Sequence, residues 1–335
     1  MRFGLSLAVV ALFATGCGSD EVSSVADGNS AAAENDSSTP VDSADSDLTR
    51  CELITRSITA AGFDVDVSCD GTYAWLASDT VPDHEVMTGI VATNEQIPVP
   101  AVDYASPLPL NPTKASTYTT VDAALGVAVN GVPIYDYSAQ GELDPANYDA
   151  SVDTVVTGQL DVCNGHAGRG DDYHYHASPT CMIEAMPNKD DNPIIGWGFD
   201  GYPLYGHNNP DGSTVADGTL GLCNEQADST YGWRYHTSVA PPYVFPCLIG
   251  EIDDTVLPRV PPLDAEGGGA KPSGTPPQGG VENLVHTRTG DARAMTYSYK
   301  GSEYFINYKP GSAANCYDFE SNTVTHGADS GTYCR

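Results

Sequence analysis

Short apolar and aromatic runs, each cut off by Gly, Pro, Asn or Asp, fill the chain from about residue 50 to 256, and no sustained 3.6-residue periodicity runs through them. The pattern predicts strands at 72–76, 86–93, 125–129, 194–199 and 233–236. Residues 295–299 and 304–308 alternate on either side of Lys300-Gly301-Ser302 and predict a hairpin. Residues 51–62 are the one modest helix candidate. The expected fold class is mainly β: duplicated β-hairpin units packed as one disulfide-stapled β domain, with a small C-terminal β-hairpin segment.

The duplication is visible at two offsets. Gly126, then Asn130-Gly131-Val132-Pro133-Ile134-Tyr135, matches Gly196, then Asp200-Gly201-Tyr202-Pro203-Leu204-Tyr205, 70 residues on. Asn-Gly and Asp-Gly are strong hairpin signals, because a type I′ turn needs positive φ twice. Leu160, Cys163, Asn164, Ala167, Tyr175, His176 and Ser178 match Leu220, Cys223, Asn224, Ala227, Tyr235, His236 and Ser238 at an offset of 60. About one identity would arise by chance in that window. The repeat units are 126–181 and 196–247, expected to pack with pseudo-two-fold symmetry.

Low-complexity stretches divide the rest. Residues 1–17 carry Arg2 and a short apolar run at 5–13, too short to span a bilayer, and end in Ala14-Thr15-Gly16-Cys17. This resembles a lipoprotein-type signal peptide with lipidation at Cys17. Gly18 stands where an Asp would resemble an inner-membrane retention signal, so an outer-membrane lipoprotein or a cell-surface or secreted protein is expected. Residues 18–49, rich in Ser, Ala, Asp and Asn, read as a disordered acidic tether. The main domain covers 50–256, a Pro/Gly-rich linker 257–282, and a small disulfide-bonded segment 283–335.

Cysteine arithmetic agrees with export. Setting Cys17 aside leaves eight of nine, and the gaps between successive pairs are 18, 18, 24 and 18 residues. Sequential pairing follows: Cys51–Cys69, Cys163–Cys181, Cys223–Cys247 and Cys316–Cys334. Each such loop contributes about 3 kcal/mol in the chain-entropy picture.

Charge narrows the partners. Forty-five acidic against 14 basic residues give a net charge of −31, which excludes nucleic acid as an electrostatic partner and favours cations. Candidate ligands gather at Cys163-Asn164-Gly165-His166 and Asp171-Asp172-Tyr173-His174-Tyr175-His176. On a strand, His174 and His176 share a face. With His166 they suit a divalent transition metal, zinc or copper, and Asp171 or Asp172 could orient a ring nitrogen. Copy two keeps His236 but has Gln226 and Arg234 where copy one has His166 and His174. Either His176 and His236 are structural, or pseudo-symmetry brings them into one central site. Calcium is a further candidate, at Asn209, Asp211, Ser213 and Asp217. No nucleophile elbow, phosphate loop, dinucleotide fingerprint or His-Glu-x-x-His occurs.

The run Tyr173-His174-Tyr175-His176, with Val81-Pro82-Asp83-His84, Cys163-Asn164-Gly165-His166, Cys181 and 198–206, resembles the YHYH domain proteins over about 72–250. The resemblance implies an exported setting without implying a reaction, and it adds His84 and Asp200 as candidate site residues. The expected function is therefore a surface lipoprotein that binds a metal or uses it for hydrolysis. The contrasting expectation is a non-catalytic adhesion module that binds an extracellular ligand, its histidines structural.

Overall fold

The computed structural model describes residues 48–216 and 218–335. Cys17, the signal segment, nearly all of the tether and Asp217 lie outside the described residues. Thr49 and Glu52 form a reciprocal capping box that starts α1 (Arg50–Ala61), and Gly62, at φ 80°, ends it in the left-handed conformation. Leu53, Ile54, Ile58 and Ala61 make its buried stripe, and Ser57 accepts from the Trp197 indole N–H at 3.1 Å. Among the described residues no helix is long and apolar enough to cross a membrane.

Cys51 on α1 is bonded to Cys69 at the end of β1 (Asp66–Cys69), which forms an antiparallel sheet with β2 (Tyr73–Ser78) and β3 (Tyr104–Pro109). Residues 86–93, expected as a strand, form none. Met87 and Gly89 take φ of 62° and 87°, and the Met87 N–H donates to the Asp161 carboxylate, so the segment turns instead of extending. Val86, Met87 and Ile90 are still buried, which is why the run reads as apolar. After β4 (Lys114–Thr119) the chain enters its central sheet.

That sheet has eight strands: β5 (Gly126–Ala128), β6 (Pro133–Ile134), β7 (Gly165–Ala167), β8 (Tyr173–Tyr175), β9 (Ile194–Gly198), β10 (Pro203–Tyr205), β11 (Glu225–Asp228) and β12 (Gly232–His236). The order is β11-β12-β10-β9-β5-β6-β8-β7. Outward from the central β5·β9 pair, both halves run hairpin, parallel step, hairpin. Ile134 pairs with Tyr175 and Leu204 with Tyr235, positions 70 and 60 residues apart in the repeat. At the centre Val127 pairs with Trp197, its own equivalent at offset 70, so a local two-fold axis runs through that pair. The short α2 (Thr180–Ala185) connects the halves, and β13 (Leu248–Gly250) returns to pair with β4.

The C-terminal part is larger than a hairpin. β15 (Glu282–Thr289), β16 (Ala292–Tyr299), β17 (Ser302–Pro310), β18 (Cys316–Thr323) and β19 (Gly327–Cys334) form an antiparallel meander, extended at its edge by β14 (Asp264–Ala265). It packs on the main domain around Glu95, which is 3% exposed and accepts from Tyr297 Oη and from the Val324 and Thr325 N–H groups. The Pro/Gly-rich run 257–282 contributes Leu263 to the shared core and Lys271 to a buried ion pair, so it is packed structure along this stretch. All four sequential disulfides are present, as expected of a protein from an oxidising compartment.

Candidate metal centre

β7 and β8 form an antiparallel hairpin whose register places His166 opposite His174. Period-two alternation sends Tyr173 and Tyr175 into the core, both fully buried, with Tyr173 Oη donating to Asp161 at 2.8 Å. The other face carries the histidines. The three rings stand at the corners of a near-equilateral triangle, with every centroid separation 4.9 Å. One ring nitrogen from each lies within 4.8 Å of the other two. His166, His174 and His176 are 7%, 6% and 3% exposed, so the centre lies just beneath the surface.

Each ring is held from outside the triangle. The His176 Nδ1–H donates to the Asp136 carbonyl, the His174 Nδ1–H to Asp172 Oδ2 at 3.1 Å, and the His166 ring bonds to the Gln159 backbone. His176 Nε2 is then a bare lone pair, and it faces His166 Nε2 at 3.1 Å. A second proton on either ring is disfavoured there. Burial and the neighbouring imidazoles hold His166 well below its ordinary pKa and push His176 down to about 3. A metal ion is the group that satisfies converging bare nitrogens, and two ligands at about 2.05 Å in a tetrahedron stand about 3.3 Å apart. Burial pushes the Asp172 carboxyl up, but His174 and its hydrogen bond outweigh this and hold the group below its usual range.

The second half of the sheet is an internal comparison. His236 Nδ1 meets the Gly206 carbonyl at 2.9 Å, and Gly206 is the counterpart of Asp136 at offset 70. Gln226 and Arg234 face each other across β11 and β12 as His166 and His174 do across β7 and β8. Here, however, His236 Nε2 accepts from Arg234 Nε–H at 3.1 Å and from the Gln226 amide at 3.0 Å. A guanidinium and an amide satisfy this copy internally, whereas copy one leaves its nitrogens facing one another.

Of the six expected ligands, the structure brings together His166, His174 and His176. His236 does not join them. It sits in the other half of the sheet, five strand steps and about 24 Å away at the usual strand spacing, which removes the central shared site. Asp200 is fully buried and accepts from Tyr235 Oη and the Gly250 N–H, closing the β9–β10 turn. His84 Nε2 accepts from Tyr175 Oη at 2.7 Å, on the opposite side of β8 from the triangle. His84 also lies near Cys163 and Cys181, but their sulfurs form a disulfide and supply no thiolate. Among the calcium candidates, Asn209 Oδ1 accepts from the Arg234 guanidinium at 2.8 Å, placing a cation where the metal would stand. The sequence reading missed Asp136, Gln159 and Tyr135, whose ring packs on His174 at 4.4 Å. The offset-70 repeat was the available signal for the carbonyls at 136 and 206.

The fold and site define a disulfide-stapled, mainly β protein with a buried three-histidine centre. Residues 105–235 match the family model described as YHYH protein, and the chain carries a YHYH domain. The match contains the whole triangle. No curated protein and no solved structure is significantly similar to the chain.

Proposed function

We propose that this chain is an exported metal-binding protein that holds a divalent transition ion, zinc or copper, between one ring nitrogen each of His166, His174 and His176. The observation that carries the reading is the facing Nε2 pair of His166 and His176, both buried and both anchored on their far sides. Imidazole donors suit zinc and copper, and three neutral ligands leave the ion its full charge. With water in a fourth position the ion would lower that water's pKa to about 7, the chemistry of metal-assisted hydrolysis. The chain's own residues supply orientation: Asp172 and the carbonyls of Asp136 and Gln159 fix the rings. Attachment to the outer membrane through a lipidated Cys17 is part of the same reading, motivated by the sequence around that cysteine.

The test is metal content by mass spectrometry after production in an oxidising periplasm, with a His174→Ala, His176→Ala double variant checked for folding. One equivalent of zinc or copper, lost in a folded variant, is the expected result. No metal after reconstitution with either ion would overturn the reading and favour an adhesion module with structural histidines. Lipidation at Cys17 is checked separately by the mass of the mature N-terminal peptide and its loss in Cys17→Ser.

A further inference from the structure

Two of the chain's few cations reach the turn between β7 and β8 from far along the sequence. Lys271 Nζ pairs with Asp171 Oδ1 at 2.9 Å and also donates to Gln96 Oε1 at 3.1 Å. Arg335, next to the Cys316–Cys334 bridge, donates to the Gly170 carbonyl at 2.6 Å, Val99 at 2.8 Å, Pro261 at 2.8 Å and Pro100 at 3.1 Å. The guanidinium thus ties three pieces of chain together: the turn, the 99–100 segment and the 257–282 run. The Val99 N–H adds a bond to the Asp171 carbonyl at 2.7 Å. Packing leaves little slack. A Cβ on Gly170 would meet the Val260 carbonyl at 2.6 Å, and one on Gly168 would meet His174 Cε1 at 2.5 Å. The turn carries Asp172, and Asp172 carries His174.

We propose that Arg335 and Lys271 are positioning residues for the metal centre, clamping the 168–172 turn so that Asp172 and His174 are held in ligating geometry. The inference deepens the metal-binding reading and rests on it. The C-terminal sheet then does more than add core. It contributes the fork that braces, from outside, a turn closed by its own Gly168 N–H to Asp172 and Asp171 N–H to Gly168 backbone bonds, with Asp171 at φ 53°. Arg suits this role because its planar donors reach several carbonyls at once, which a lysine ammonium on a flexible stem does not reproduce.

The experiment uses the full chain with Arg335→Ala, Arg335→Lys and Lys271→Met, beside Tyr297→Phe, which removes a docking bond at Glu95 and neither the Arg335 nor the Lys271 contact with the turn. Metal-free hydrogen exchange is followed across 168–174, and cobalt(II) is titrated with its visible spectrum recorded. Arg335→Ala should speed exchange in 168–174 selectively and weaken cobalt binding about tenfold with a changed spectrum, a typical loss when a ligand's support is removed. Arg335→Lys should restore neither, and Lys271→Met should show the same signature more weakly. Tyr297→Phe should leave both readouts near wild type. Unchanged exchange at 168–174 in Arg335→Ala, or an equal effect from Tyr297→Phe, would overturn the clamp. If the wild-type protein binds no cobalt, zinc or copper, the metal reading and the positioning role both fail, and the exchange data alone report whether the turn is clamped.

Discussion

Replacing Asp172 by Asn tests the centre where its geometry is most explicit. The Asp172 carboxylate accepts the His174 Nδ1–H at 3.1 Å, and each side chain is only 7% exposed, so water screens the contact little. Asn keeps an oxygen acceptor of nearly the same shape and removes the charge. A hydrogen bond to a charged group is worth about 1.5–3 kcal/mol against about 1 for a neutral pair, so the change costs about 0.5–2 kcal/mol. At about 1.4 kcal/mol per tenfold, metal affinity should fall about 2- to 30-fold. Asp172→Ala, which removes the acceptor as well, should fall further, toward about 100-fold. The assay is competition for zinc, and separately copper, against a chromogenic chelator at pH 7.5, with circular dichroism confirming the fold. An Asn variant within twofold of wild type would refute the orienting role of the carboxylate.

Three further outcomes follow from other residues. Burial, with Arg293 adding to it, pushes His286 down to about 4, and its Nε2 has no hydrogen-bond partner among the described residues. The unfolded chain takes up this proton near pH 6.5 and the folded protein does not, so this contribution is complete above pH 6.5 and drains away toward pH 4, on the order of 3 kcal/mol. Urea midpoints for His286→Leu at pH 7, 5.5 and 4 should fall less steeply than wild type, and parallel curves would contradict the sign. Gln226→His with Arg234→His rebuilds three histidines around His236 and should raise bound metal from one equivalent to two; a folded double variant that stays at one would show that the halves differ by more than these side chains. Gly168→Ala should drive its Cβ into His174 and weaken metal binding at least about tenfold, measured by the same chelator competition, with far-ultraviolet circular dichroism unchanged.

Local rules carried part of this architecture and distance hid the rest. Four cysteine pairs with short, nearly equal gaps could be matched on spacing, and period-two alternation put His174 and His176 on one face before any fold was known. The contacts that seat the C-terminal sheet were not legible, because Lys271 meets Asp171 across 100 residues and Arg335 meets Gly170 across 165, with no local pattern marking either pair. Residues 86–93 misled for a different reason: burial made them look like a strand, while their backbone bonds go to the Asp161 side chain, to loops and, from Gly89 alone, to Leu284 on β15, with no ladder. The misplaced central site is the most instructive case. The repeat alone allowed His176 and His236 to meet or to stand apart, and the decision lay in which strands form the seam. Because Val127 pairs with Trp197, its own repeat equivalent, β5 and β9 lie on the axis and each unit's second hairpin is carried to an outer edge. Pseudo-symmetry therefore separates the two histidine positions and gives each its own neighbours. One copy could keep three facing imidazoles while the other filled the same geometry with a guanidinium and an amide.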